Sequence, residues 1–222
     1  MDPEGITIAT GQPSDKNEIL DFLVKYFLVD EPMNQAAKIE KVDFLPIANT
    51  IATRCLRTPF SAVARDSGTN EVVGVNLNSV WRRGDEENEY YNTRTRTDEL
   101  AKAHDKIMNE IHSSFWKLAS DAFSVVLHSE ISSVSPHYRR RGIASSLYKK
   151  TIDKANIEKF AIQGIVSEAS STANQQLLKK QGFEVLREIM YEDYRGSNGE
   201  VLLKPKDGSK SIALCWKPLN LS

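Results

Sequence analysis

A strand-like apolar run enters a cluster of three arginines and a glycine, and a helical pattern leaves it. The stretch reads Val134-Ser135-Pro136-His137-Tyr138-Arg139-Arg140-Arg141-Gly142-Ile143-Ala144-Ser145-Ser146-Leu147-Tyr148. A strand that turns directly into a helix predicts a crossover unit, with its parallel neighbour one helix further along the chain. The turn also concentrates positive charge. The first N–H groups of a helix lack intrahelical acceptors, and the helix dipole is positive at that end. Such a spot suits a diphosphate. Two readings of the arginines stand side by side, a solvated basic patch and an anion site. Placement between strand and helix favours the anion site. Gly142 permits close backbone approach, and Ala144 keeps the helix start uncrowded. The turn is no P-loop and no dinucleotide fingerprint, because Gly142 stands without the partner glycines that either requires.

The rest of the chain supplies the layers. Ile6 and Ile8 alternate with polar or small residues as a short strand, and Pro13-Ser14 open a helix. Ile19, Leu20, Phe22, Leu23, Tyr26 and Phe27 form one apolar stripe. Pro32 ends that helix, because a proline disfavours helical geometry in the residue before it. Asp30 and Glu31 then sit at the rim of a cleft. A second helix is predicted from about Gln35, broken at Pro46 and over before Thr58-Pro59. Residues 60–64 and 71–81, joined by Asp66-Ser67-Gly68-Thr69-Asn70, read as an antiparallel hairpin. Residues 82–98, with Tyr90 and Tyr91 at their middle, read as a solvated loop or as a mobile loop near a substrate mouth. Residues 100–118 read as one helix and 123–134 as the strand entering the turn. A helix over 143–157, a strand over 160–169, a helix over 173–181 ended by Gly182, and strands over 184–192 and 211–216 follow. Residues 195–209 form a connection rich in Gly, Ser and Pro. The tally is an α/β arrangement with a mixed sheet and a small parallel core.

With 222 residues, one domain spanning 1–222 is expected. The formal net charge of −1 gives no global attraction to nucleic acid or anionic membrane, so any anion site is local. Two cysteines, Cys55 and Cys215, make no disulfide framework and read as core residues in a cytoplasmic setting. No secretory leader and no membrane-spanning run is evident. A monomer is expected.

Three further constellations bear on chemistry. Ser170-Ser171-Thr172 and Asn174 follow the second parallel strand, where they serve as helix caps or as groups beside the basic turn. Glu31 is a solvated charge or, flanked by Phe27, Leu28, Pro32 and Met33, a carboxyl raised toward the working range of a general base. His104, His112, His128 and His137 show no ligand spacing along the chain, so no metal is expected.

Val134-Ser135-Pro136 with Tyr138-Arg139, Gly142, Ile143 and Ala144 resembles motif A of the GNAT acetyltransferase superfamily. Asn174 and Lys179-Lys180-Gln181-Gly182-Phe183 resemble motif B. Asp30-Glu31-Pro32-Met33-Asn34 is similar to a segment of the insect arylalkylamine N-acetyltransferases, as is the stretch from Gly199 to Pro205. The resemblance covers nearly the whole chain. It implies a mixed central sheet with helices on both faces and a parallel strand pair splayed at an acetyl-CoA site. Ser133 and Val134 would face pantetheine. Arg139, Arg140, Arg141, Gly142, Ile143, Ala144 and Ser145 would hold the pyrophosphate, and Asn174 would bond pantetheine or an ordered water. Glu31 would be the base and Ser170 its catalytic partner, while Asn174 stands where dopamine-acetylating relatives carry a second serine. The implied reaction is acetyl transfer from acetyl-CoA, by direct attack of a small primary amine of dopamine, serotonin or tryptamine type. Aliphatic amines or polyamines, protein amino groups, and a non-catalytic acyl-CoA-binding module are the alternatives.

Overall fold

The computed structural model describes residues 2–85 and 96–219. Its strands are β1 (Ile6–Thr10), β2 (Ala62–Asp66), β3 (Val72–Arg82), β4 (Val125–Val134), β5 (Gly164–Ala169), β6 (Glu184–Met190) and β7 (Ser211–Pro218). They form one seven-stranded sheet in the order β1-β2-β3-β4-β5-β7-β6. Every described pairing is antiparallel except β4 with β5. The helices are α1 (Lys16–Phe22), α2 (Leu28–Asp30), α3 (Pro32–Ala36), α4 (Lys41–Cys55), α5 (Glu99–His112), α6 (Phe115–Leu118), α7 (Ile143–Thr151), α8 (Lys154–Lys159) and α9 (Thr172–Lys180). The mixed sheet with helices on both faces agrees with expectation.

Strand alternation sorts the side chains into two layers. Val126 and Val166 join the core built with Ile19, Phe22, Ile47, Ile51, Ile107 and Ile111 on α1, α4 and α5. Their neighbours Leu127 and Ile165 join the opposite core with Tyr148, Ile157 and Leu178 on α7, α8 and α9. Ile143 and Leu147 extend that side over Ile6, Ile8, Ala62 and Val73. The predicted hairpin is β2–β3, and Asp66 Oδ1 accepts the N–H groups of Gly68 and Thr69 in its turn.

Three helix boundaries differ from expectation. Pro46 lies inside α4 without ending it. Phe44, Ile47, Ala48 and Ile51 are all buried there, and that packing outweighs the backbone bond a proline removes. The break falls earlier, near Lys38, whose φ is 52°. The helix expected over 100–118 is two, α5 and α6. The one expected over 143–157 is also two, because Asp153 caps α8 by accepting the Asn156 N–H. In consequence β5 begins at Gly164 rather than at residue 160. The first helix contains a π turn over Leu23–Phe27 before it reaches α2. Tyr90 and Tyr91 lie outside the described residues.

β4 and β5 pair over only three positions, Leu127 with Ile165, His128 with Val166 and Ser129 with Ser167. Beyond Ser129 the strands part. β4 stays with β3 as far as Gly74 and Val134, while β5 stays with β7 as far as Ala169 and Ala213. The parting coincides with a bulge. Leu77 faces Ile131 and Asn78 faces Ser129, so Glu130 has no opposite residue. The pair is therefore splayed, as expected.

Candidate active site

The basic turn is built by backbone conformation more than by arginine side chains. Residues Pro136–Tyr138 make a 3₁₀ turn, Arg140 has φ 61° and Gly142 has φ 79°. Left-handed residues in such a turn bring successive N–H groups toward one point, an anion-binding concavity. α7 starts directly after Gly142, so Ile143, Ala144 and Ser145 contribute N–H groups that helix geometry leaves without intrahelical acceptors. A Cβ on Gly142 would meet nothing within 4 Å, so its positive φ, rather than crowding by the protein, calls for glycine. The arginine side chains diverge. Arg139 donates to Asp30 at 3.0 Å, and Arg141 donates to the Glu4 carbonyl at 2.7 Å and lies over the Tyr138 ring. Arg140 is exposed.

Past the bulge, the edge of β4 that faces β5 is open. The Ser135 N–H donates to Val73 on β3. Alternation along an antiparallel strand then turns Ser133 toward β3 as well, and turns Ser132 and Val134 toward the gap. Of the expected pair Ser133 and Val134, Val134 presents its backbone to the gap. Ser132, not anticipated, joins it.

A slot of about 20 Å³, enough for roughly one water, lies at the base of this gap. Asn76, Ser129, Ser132, Ser167 and Gln181 line it, with Ala144 and Asn174 from the predicted set. Tyr148 and Phe183 form its aromatic wall. The Tyr148 hydroxyl is buried without a hydrogen-bond partner, and burial pushes its pKa up to about 12. A buried, unsatisfied hydroxyl costs about 1–3 kcal/mol, which a bound group can recover.

Glu31 lies between α2 and α3. Its φ of −70° and ψ of 124° follow from the proline after it. The carboxylate caps α3 by accepting the N–H groups of Met33 at 3.0 Å and Asn34 at 2.5 Å. It also accepts the Ser170 hydroxyl at 2.6 Å. The two predicted catalytic residues, 139 positions apart, thus meet in the fold. Ser170 is available for this because the capping of α9 falls to Ser171, whose Oγ accepts the Asn174 N–H at 3.1 Å. Tyr191 donates to the Ser170 carbonyl at 2.6 Å, closing the cluster from the β6 side. The Glu31 carboxyl is raised from its ordinary value. Burial is the largest cause, and the bonds from Ser170, Asn34 and Met33 offset it in part, while the Asp207 charge adds to it.

The fold also joins residues that sequence spacing kept apart. His112 from α5, His128 from β4 and Glu168 from β5 converge in the core. Only tertiary structure brings them together. Cys55 and Cys215 are buried and free, as expected of core residues.

No family model matches the chain. Solved structures do. Arylalkylamine N-acetyltransferase 2 from Aedes aegypti superposes with a TM-score of 0.83 at 21% identity, over 98% of this chain and 100% of that one. The Drosophila melanogaster polyamine N-acetyltransferase, described as forming N-acetylagmatine, gives 0.76 at 14% identity, over 96% and 100%. The C-terminal condensation domain of Ebony, solved with β-alanyl-dopamine, gives 0.70 at 18% identity, over 96% and 99%. The bulged β4, the splayed parallel pair and the basic turn before α7 stand on a chain that has the GNAT acetyltransferase fold, in the form that insect amine acetyltransferases adopt.

Proposed function

We propose that the chain is an acetyl-CoA-dependent N-acetyltransferase of small primary amines. The observation that carries this reading is the Glu31–Ser170 hydrogen bond, which sets a raised carboxyl beside the end of β5, where the parallel strands have parted. The N–H groups at Gly142, Ile143, Ala144 and Ser145 hold the pyrophosphate, with Arg139 and Arg140 adding charge around it. Arg141 contributes through its backbone. Val134 and Ser132 bond the pantetheine amides, and Asn174 flanks them from α9.

An alkylamine has a pKa near ~10.4, so about one molecule in ~10³ is neutral at pH 7. Glu31 takes the proton from the ammonium form, directly or through a water. The amine lone pair then forms the C–N bond at the thioester carbon, and the carbonyl electrons move to oxygen. Backbone N–H groups at the splayed edge of β4 stabilise that oxyanion. Its collapse breaks the C–S bond, and the thiolate leaves with the electron pair. Tyr148 donates a hydrogen bond to this sulfur; its high pKa keeps its own proton in place at working pH. The nitrogen gives one of its two protons, directly or through water, to the departing thiolate and keeps the other as the amide N–H.

The acceptor is a small amine, aromatic or aliphatic. That the same fold carries a condensation domain means the reaction has to be measured. Turnover of acetyl-CoA with tryptamine, dopamine, histamine, agmatine and spermidine tests it. Activity with at least one amine is expected, and Tyr148→Phe should lower kcat more than it raises KM. Tight CoA binding without turnover of any amine or peptide substrate would leave a non-catalytic acyl-CoA-binding module. Activity confined to peptides would place the acceptor on protein.

A further inference from the structure

We propose that His112, His128 and Glu168 form a binding site for a divalent transition-metal ion of the zinc class. Nothing in the acetyl-transfer reading uses these residues, and the proposal does not depend on it. All three are almost completely buried; the side chains are 3%, 3% and 5% exposed. His112 Nδ1 lies 3.0 Å from one carboxylate oxygen of Glu168, and His128 Nε2 lies 2.5 Å from the other. The three ligand atoms fall within 4.8 Å of one another.

The donor set is two imidazoles and a carboxylate. Such sets suit zinc, copper and nickel better than calcium or magnesium, which prefer all-oxygen shells. Two histidines and one glutamate, with a fourth position open, is a known zinc arrangement. Metal–ligand distances of about 2.0–2.2 Å would place ligand atoms roughly 3.3 Å apart. Insertion therefore needs the Glu168 carboxylate to draw back, and needs the most separated pair of ligand atoms, up to 4.8 Å apart, to close by up to about 1.5 Å.

The surroundings support a cation in three ways. The first is charge. Glu130 and Glu168 bring two buried carboxylates, and Arg54, which bonds Glu130 through two nitrogens, brings one positive charge. One negative charge is left over, which a protonated His128 or a bound cation would offset. The second is orientation. The Trp81 ring packs at 4.4 Å from the His112 ring and 4.7 Å from the His128 ring, fixing both planes. Glu130 Oε1 stands 4.0 Å from His128 Nδ1, where a modest shift makes the outer carboxylate that metal-binding histidines usually carry. The third is access. Of the three ligands, His128 lines a cavity of about 290 Å³, together with Arg54, Arg57, Ser79, Trp81 and Asp85, so an ion would enter past the His128 ring. An ion there would tie α5 to β4 and β5 next to the point where the strands part.

The test is titration of chelator-treated, full-length protein with Zn²⁺ by calorimetry, and with Co²⁺ by visible absorption. One equivalent of each is expected to bind. Co²⁺ should give the intense bands of a four-coordinate site, and Zn²⁺ should raise the melting temperature. His128→Gln and Glu168→Gln should lose the equivalent, and Glu130→Gln should weaken it by roughly 10–100-fold. His137→Gln, on the exposed turn, should bind as the parent does. Absence of a stoichiometric equivalent in the parent overturns the proposal. So does binding that survives in folded His128→Gln, or a weak six-coordinate Co²⁺ spectrum. If circular dichroism shows the variants unfolded, the parent's Co²⁺ spectrum decides alone.

Discussion

At the scale of single residues, Glu31 has two duties that pull in opposite directions. As the cap of α3 it accepts backbone N–H groups, which favour the charged form. As a candidate base it is buried beside Ser170, and burial wins, so its carboxyl is raised. The sign of the stability effect follows. A folded-state pKa above the unfolded one means the folded chain binds the proton more tightly. The cost of burying the charge is absent below the unfolded carboxylate value. It grows as pH rises through the raised value and is complete above it. The parent should therefore gain stability relative to Glu31→Gln as pH falls, and the amide also gives up one of the two oxygens that cap α3, at about 0.5–2 kcal/mol. Turnover should drop by about 10²–10⁴-fold, and the acidic limb of the kcat/KM profile should vanish. A variant whose profile keeps that limb would remove Glu31 as the base. Ser170 and Glu31 were both legible in the sequence through short motifs. Tyr148 was not: an aromatic in a helix reads as core, and only the fold shows its hydroxyl buried without a partner at the edge of the slot.

At the scale of elements, strands were easier to read than helix ends. β-Alternation is set by two-sided burial, and it survives in the sequence whatever the neighbours are. Helix ends depend on tertiary choices. Pro46 stays helical because α4 packs across the sheet, and α7 stops at Thr151 because Asp153 starts a new cap. The direction in which each β4 residue turns its backbone depends on the bulge at Glu130, which no alternation pattern encodes. That is why the sequence points to Ser133, whose backbone turns to β3, and not to Ser132, whose backbone turns to the gap. The junction of β5 with β7 gives a test of packing at this scale. A Cβ on Gly164 would stand 2.0 Å from the Trp216 ring, whereas one on Gly142 meets open space. Gly142→Ala should cost about 1–2 kcal/mol through its left-handed φ alone. Gly164→Ala has to displace the indole, at about 1–3 kcal/mol or more, and should change the tryptophan fluorescence. Unchanged fluorescence with parent-like stability would mean that β5 and β7 can slide apart freely.

For the whole molecule, the acetyl-transfer reading requires a local anion site. A chain of net charge −1 does not attract a polyanion by its overall field, so in that reading recognition falls to the turn before α7 and the gap between β4 and β5. That gap is also where the sheet lacks cross-strand bonds, and a ligand filling it bridges two halves otherwise joined there by three residue pairs. Binding to the folded chain alone stabilises it by about 2.7 kcal/mol at a ligand concentration of 100 Kd. For a chain of this length, 1 kcal/mol moves the melting temperature by about 2–4 °C. Free CoA at that excess should therefore raise it by roughly 5–11 °C. Gly142→Asp sets a carboxylate among the N–H groups that would hold the pyrophosphate, so it should abolish most of the shift while the folded chain persists without ligand. An equal shift in Gly142→Asp would move the phosphate site away from this turn. Absence of any shift in the parent would remove CoA itself, and with it the acetyl-transfer reading.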